Sequence, residues 1–371
     1  MNLSIFELHN LWPPLIWVIV GGLLFDKLPK STVRIGSHNV SRWHWFSAFM
    51  LVFPLLFWAG IRTSIGDTYA YMRKFQEVPG NLLNLPAYLA ANQKDQGFSV
   101  FIALLKVLGV RSNSGFFLTV AAIQMLCMAK TFRKYSGRYW ICLFLFVVSS
   151  DYISWMFNGI RQFLATTIIF GAFDLLVQKK HLQYCLVVLL ASTIHGSALL
   201  MLPLSYIMYG PALNLKTILA LLAAIIIIPV IDRFLPFLDL LLEDTQYSGI
   251  TTDEIWSVDD GTNILRVLVY SVPAILSLIS RRYIVEADDH AMNLCVNASV
   301  VTMVLYLISS VTSGIYVGRL PIYTTLHSYI ALPWLIDQIF TKDSAAFVRL
   351  LMYGFYLAFF YYQVGLMWGM L

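Results

Sequence analysis

The chain has 371 residues, 59% of them hydrophobic and only 12% charged, and its mean hydropathy is +0.72. That balance excludes a soluble domain. It also argues against nucleic acid as a partner, because the net charge of +5 sits in short basic clusters between apolar runs, the pattern that orients membrane helices. The expectation is an all-α, polytopic helical membrane protein in one integral membrane domain over residues 1–371.

A bilayer core takes about 20 apolar residues to cross. Residues 11–25 and 45–61 are the first two runs. No Lys or Arg precedes the first, so it is expected to stay as a helix and not to be cleaved as a signal peptide. Lys27, Lys30, Arg34 and Arg42 place the loop between them in the cytoplasm and the N-terminus outside. Residues 62–97 are then external, with Arg62, Asp67, Arg73, Glu77 and Asp95 among enough aromatic and aliphatic residues to pack on the membrane surface.

The run 98–110 is too short to cross comfortably, and the basic cluster Lys130 to Arg138 after the run 115–129 requires an odd number of crossings. Residues 98–110 are therefore expected to be re-entrant or interfacial. The run 139–157 goes out and 162–178 returns to Lys179 and Lys180, so the polar island 151–162 faces outward. The apolar stretch 182–209 is broken by Ser192, Thr193, His195, Gly196 and Ser197, and a helical hairpin there keeps the later charges on their proper sides. The run 215–231 leads to an external loop 232–263, acidic over 239–260. Runs 264–280, 291–309, 320–340 and 350–368 follow. The total is ~12 passes plus one re-entrant segment by these length rules. Cys127, Cys142, Cys185 and Cys295 fall within spans and lack metal-ligand spacing, so neither a disulfide nor a metal is expected.

Four arginines, Arg62, Arg161, Arg266 and Arg319, each lie near the external end of an expected helix, the side where arginine is disfavoured. A phosphate or pyrophosphate would account for all four, since guanidinium offers a permanent charge and a fork of donors. The competing explanation is pairing with Asp67, Asp151 or the acidic loop, or snorkelling to headgroups. His195 follows a helix break and could accept a proton near neutral pH, or could simply be a structural hydrogen-bonding residue. Asp67, five residues after Arg62, could orient an acceptor hydroxyl, act as general base or fix an arginine. Tyr69, Tyr71, Trp155 and Phe157 could stack on sugar rings, although aromatic belts are the ordinary reason for such residues at a membrane boundary. No His-Glu-x-x-His, Gly-x-Ser-x-Gly or P-loop pattern occurs.

Arg62 with Gly66-Asp67-Thr68 and Tyr71, then Gln96-Gly97-Phe98, Asn158-Gly159-Ile160-Arg161-Gln162, His195-Gly196-Ser197-Ala198, Arg266 and Arg319 occur in that order. Together they resemble the EpsG family of Wzy-type polysaccharide polymerases, over most of the chain. The acidic loop 239–260 matches no part of that pattern. The resemblance implies a GT-C-like glycosyltransferase of the bacterial inner membrane that joins undecaprenyl-diphosphate-linked oligosaccharide repeats into an O-antigen, capsule or exopolysaccharide at the outer face. It implies an inverting reaction without metal or other cofactor, and as partners the lipid bilayer, a flippase and a chain-length regulator. On that reading Arg62, Arg161, Arg266 and Arg319 hold pyrophosphate, His195, Asp67 and Arg161 serve catalysis, and Tyr69, Tyr71, Asn158 and Gln162 contact sugar. The other classes compatible with these residues are a flippase for the same lipid-linked sugars and a membrane acyltransferase using His195.

Overall fold

The computed structural model describes residues 11–35, 38–233 and 261–371. They are overwhelmingly helical, as the composition requires. The exception is an antiparallel hairpin of β1 (Lys30–Ile35) and β2 (His38–Trp43), where the sequence suggested a plain basic loop. Two extended runs separated by two residues can pair every ladder group locally, which a hydropathy profile does not register. The expected acidic loop 239–260 lies outside the described residues.

Among the described residues, four helices are long and apolar enough to cross a membrane: Asn113–Tyr135, Ile160–Val177, His290–Ser309 and Lys342–Met367. Two bent pairs raise the number to six if each is one span. Shorter apolar helices make up the remainder, including α1 (Trp12–Phe25), α2 (Trp45–Gly60) and His181–Ile194.

The chain forms two compact units, one of residues 1–200 and 340–371 and one of residues 201–339. In the first, α2 then leads through α3 (Thr68–Glu77) and α4 (Leu85–Ala91) to α5 (Gln96–Val107), the short run anticipated at 98–110. The central helix is α6 (Asn113–Tyr135), which packs on α2 and on α9 (Ile160–Gly171). Every residue of α7 (Tyr139–Val148) is buried, the signature of a helix enclosed on all sides. The sequence suggested one straight span over 139–157. Instead the chain turns by 75° after α7 into α8 (Asp151–Asn158), whose last five residues are π-helical. The reason is local: Ser149, Ser150 and Asp151 interrupt the apolar run, and Ser150 adopts a left-handed φ of 64°. After α10 (Phe173–Val177), α11 (His181–Ile194) runs until the chain becomes extended at His195, the expected break, followed by a 3₁₀ turn at Gly196–Leu200.

The second unit holds α12 (Met201–Met208), α13 (Leu215–Ile227), α14 (Ile264–Ile279), α15 (Arg281–Ala287), α16 (His290–Ser309) and α17 (Ile322–Ile339). Its axis is α16, which packs on α12, α13, α14 and α17. With lipid on the far side, apolar burial alone discriminates poorly between helix partners, so polar contacts carry more of the specificity. Asn297 on α16 shows this: its amide donates to the carbonyls of Met208 (2.8 Å) and Pro211 (2.9 Å) and accepts from the Leu213 N–H (2.7 Å), fixing the α12–α13 connection.

In the first unit the closing helix α18 (Lys342–Phe360) starts eight residues earlier than its apolar run. It packs on α7, with Tyr353 5.6 Å from the Trp140 ring, and Phe360 lies 6.0 Å from the Trp12 ring of α1.

Candidate functional site

The polar island ends in a change of helix type, and this organises the site. The end of the π-helical turn leaves carbonyls without helical partners. Arg62 donates to the carbonyl of Met156, and the Asp67 N–H donates to that of Phe157 at 3.2 Å. Gly66 makes this approach possible. Its φ is +56°, and a Cβ there would lie 2.5 Å from Asn158 Oδ1 and 2.9 Å from the Phe157 carbonyl. The Gly66-Asp67-Thr68 and Asn158-Gly159 segments therefore touch backbone to backbone.

Gly159 then caps α9, and Arg161 enters in its first turn. Its Nη1 lies 2.7 Å from Asp95 Oδ2, its Nε donates to the Tyr71 hydroxyl at 3.3 Å, and its backbone N–H points at the same hydroxyl at 3.5 Å. Neither the ion pair to Asp95 nor the hydrogen bond to Tyr71 uses Nη2. The Arg161 side chain keeps 27% of its surface exposed, whereas that of Asp95 keeps 3%. Asp95 is thus the acid that pairs with Arg161, not Asp67 or Asp151. Burial pushes the Tyr71 phenol above the ordinary tyrosine range, against the opposing pull of Arg161, so it remains neutral and available as an acceptor.

The second oxygen of Asp95 accepts from the Gly196 N–H at 3.3 Å, at the end of α11 where the helix breaks. Beside it, His195 Nδ1 and the Ser197 hydroxyl are 2.8 Å apart, and Gln162 Nε2 donates to that hydroxyl at 3.3 Å. Gly97 lets α5 close on α11: a Cβ there would fall 2.1 Å from Thr193 Oγ1. Four short sequence segments, 66–71, 95–98, 158–162 and 195–198, converge here.

The expected site residues are placed in different settings. Arg161 and Tyr71 are in direct contact, Gln162 and His195 meet at the Ser197 hydroxyl, and the two sets adjoin along the chain at residues 161–162 and 195–196. Asp67 stands close enough to act on the Tyr71 phenol and the Arg62 charge. Arg62 adjoins it but is 1% exposed, its guanidinium 4.2 Å from the Phe117 ring centroid and 5.0 Å from that of Phe157. Burial lowers its pKa to about 9, which leaves it charged at neutral pH. Asn158 and Tyr69 are exposed. Trp155 and Phe157, suggested as sugar-stacking rings, are buried instead, Trp155 over Gly159 and Phe157 beneath Arg62. Aromatic residues of the island were needed to seal the bend.

Arg266 and Arg319 belong to the second unit and lie toward one end of it. Arg266 is in the first turn of α14, its guanidinium 5.5 Å from the Tyr270 ring. Just before that turn, the Thr262 N–H donates to the Ser309 carbonyl (2.9 Å) at the end of α16. A Cβ on Gly318 would lie 2.6 Å from Thr262 Oγ1, which brings in the exposed Arg319 next to it.

Asp95 and Ser197 were not singled out by sequence reasoning as site residues. The only signal was adjacency, because Asp95 immediately precedes Gln96-Gly97-Phe98 and Ser197 sits inside His195-Gly196-Ser197-Ala198.

The helices define the class, an all-α membrane protein, with a partly exposed arginine paired to a buried carboxylate at helix ends. A model of the EpsG family matches residues 45–367, and the chain belongs to that family of polysaccharide-polymerase-like membrane proteins. Comparison with curated proteins and with solved structures returns no match.

Proposed function

We propose that the protein is a glycosyltransferase that polymerises oligosaccharide repeat units carried on undecaprenyl diphosphate, at the external face of the bacterial inner membrane. The shorter apolar helices then also cross or enter the bilayer, giving ~12 passes and a GT-C-like arrangement by the length rule. In the reaction, a hydroxyl of the acceptor repeat attacks the anomeric carbon of the donor chain. The bond from that carbon to the diphosphate oxygen breaks, the configuration inverts, and lipid diphosphate leaves with the bonding pair. The acceptor proton goes to a base, for which His195 stands ahead of Asp67.

The observation that carries this reading is Arg161. It is charged, partly exposed, set in the first turn of a helix whose N-terminus favours anions, and linked through Asp95 and Gln162 to the segment bearing His195. Charge that develops on a departing diphosphate is stabilised best by donors already in place. Two edges of the guanidinium are held by Asp95 and Tyr71, so Nη2 is the group offered to a ligand.

Arg161→Lys tests this. Lysine keeps the charge but bears its donors on one nitrogen and lacks the planar fork that meets Asp95, Tyr71 and a ligand on separate edges, and the transition state should weaken by ~2 to 4 kcal/mol, about 100-fold in turnover, with expression retained. Polymer of parental length made at the parental rate would reduce Arg161 to a structural ion pair.

A further inference from the structure

We propose that Asp95 is the positioning residue of the site, the single carboxylate that fixes the Arg161 guanidinium and the His195-Gly196 break relative to each other. This rests on the polymerase reading and adds to it a residue and a role.

Asp95 uses both oxygens, and on different partners. Oδ2 faces Arg161 Nη1 at 2.7 Å, and Oδ1 accepts the Gly196 N–H at 3.3 Å. The two partners come from α9 and from the end of α11, more than thirty residues apart in sequence. A carboxylate can serve both because its two oxygens diverge: Oδ2 makes an ion pair by proximity, without hydrogen-bond alignment, and Oδ1 makes the hydrogen bond. Its side chain is 3% exposed, so water does not compete for these contacts.

The backbone is committed to the same end. Asp95 adopts φ 51° and ψ 48°, a left-handed conformation that costs free energy for a residue with a side chain. Although it occupies the position before α5, its side chain makes no capping bond to that helix. A left-handed aspartate before a helix would ordinarily repay its conformation locally, and here the carboxylate is directed instead to two distant helices. The close approach of Gly97 to Thr193 seats the start of α5 against the last turn of α11, where that geometry becomes possible. The short helix α5 thus delivers Asp95.

A consequence follows for the ligand. With Nη1 on Asp95 and Nε on Tyr71, Arg161 is aimed by its two inner contacts and meets diphosphate through its outer amino group. Asp95 also places a negative charge near the bound diphosphate, which weakens ground-state binding while keeping the guanidinium directed for the transition state. Removing that charge without removing the side chain separates the two effects.

The test is Asp95→Asn in the purified full chain, measured by initial rates of extension of a lipid-linked repeat over a range of donor concentrations. Asparagine can still accept the Gly196 N–H but does not hold Arg161 electrostatically. The expected result is a fall in kcat of about tenfold or more with a KM for donor no higher than the parent's, the pattern of an interaction used in the transition state. Asp95→Glu, which keeps the charge, should recover part of the loss. A kcat within about twofold of the parent, or a raised KM at parental kcat, overturns the proposal. Thermal unfolding of Asp95→Asn, Arg161→Gln and the double variant supplies an arm independent of activity. Non-additive losses are expected, because either single change breaks the same lock, and additive losses contradict it. If the parent itself fails to extend the repeat, the polymerase reading has failed. If the parent is active and Asp95→Asn is indifferent, the positioning role alone has failed.

Discussion

His195 Nδ1 lies 2.8 Å from the Ser197 hydroxyl, which also receives the Gln162 side-chain amide. When Nδ1 carries the proton and donates to Ser197, Nε2 keeps its lone pair and the ring is a competent base. When the Ser197 hydroxyl donates to Nδ1, Nε2 carries the proton and the ring is a donor. The first arrangement is the one the proposed reaction uses.

His195→Ala should accordingly lower turnover by about 100-fold or more, with folding intact. His195→Gln keeps hydrogen bonding but takes up no proton near neutral pH, and it should be nearly as impaired. Loss of the acid limb of the parent's rate profile in His195→Gln is expected, and its loss in Asp67→Asn instead would transfer the role to Asp67. A Gln variant with close to parental turnover would leave His195 as an orienting residue only.

Arg62 is expected to act through the fold. Its donation to the Met156 carbonyl and its place against Phe117 and Phe157 hold the bend that presents Asn158 to Gln162. Arg62→Lys should lower stability to denaturant by ~1 to 3 kcal/mol, the cost of an imperfectly satisfied buried group, while turnover per folded molecule falls less than in Arg161→Lys. A stable Arg62→Lys protein with a hundredfold loss of turnover would return Arg62 to direct diphosphate binding.

Hydropathy and polar interruptions carried much of this architecture. The apolar runs at 11–25, 45–61, 115–129 and 291–309 are helices, and the polar residues at 192–197 mark a real break. The same logic missed the bend at Ser149 to Asp151 because a window averaged over 139–157 stays apolar, and it missed the hairpin at 30–43 because pairing there is set by backbone groups. At the site, the order of short motifs pointed to Arg161, His195 and Gln162. The partnership of Arg161 with Asp95 was not legible, since it joins residues 66 apart in sequence and depends on how α5, α9 and α11 meet.

The orientation expected from the charge pattern is testable without any assay of function. Single cysteines introduced into 62–97 and into 232–263 of a cysteine-free variant should react with an impermeant thiol reagent applied outside the cell, and those in 281–290 should not. Labelling of 281–290 with protection of 232–263 would show that 182–209 crosses only once and would invert the second half.

The most direct measurement is chain extension by the purified protein in detergent, given a lipid-diphosphate-linked repeat and neither nucleotide sugar nor ATP. The account predicts products longer by whole repeats, with release of one lipid diphosphate for each bond formed. A flippase has no membrane to work across in detergent and would leave the repeat unchanged. Unchanged repeats, with the protein folded and its lipid-linked substrate bound, would contradict the assignment.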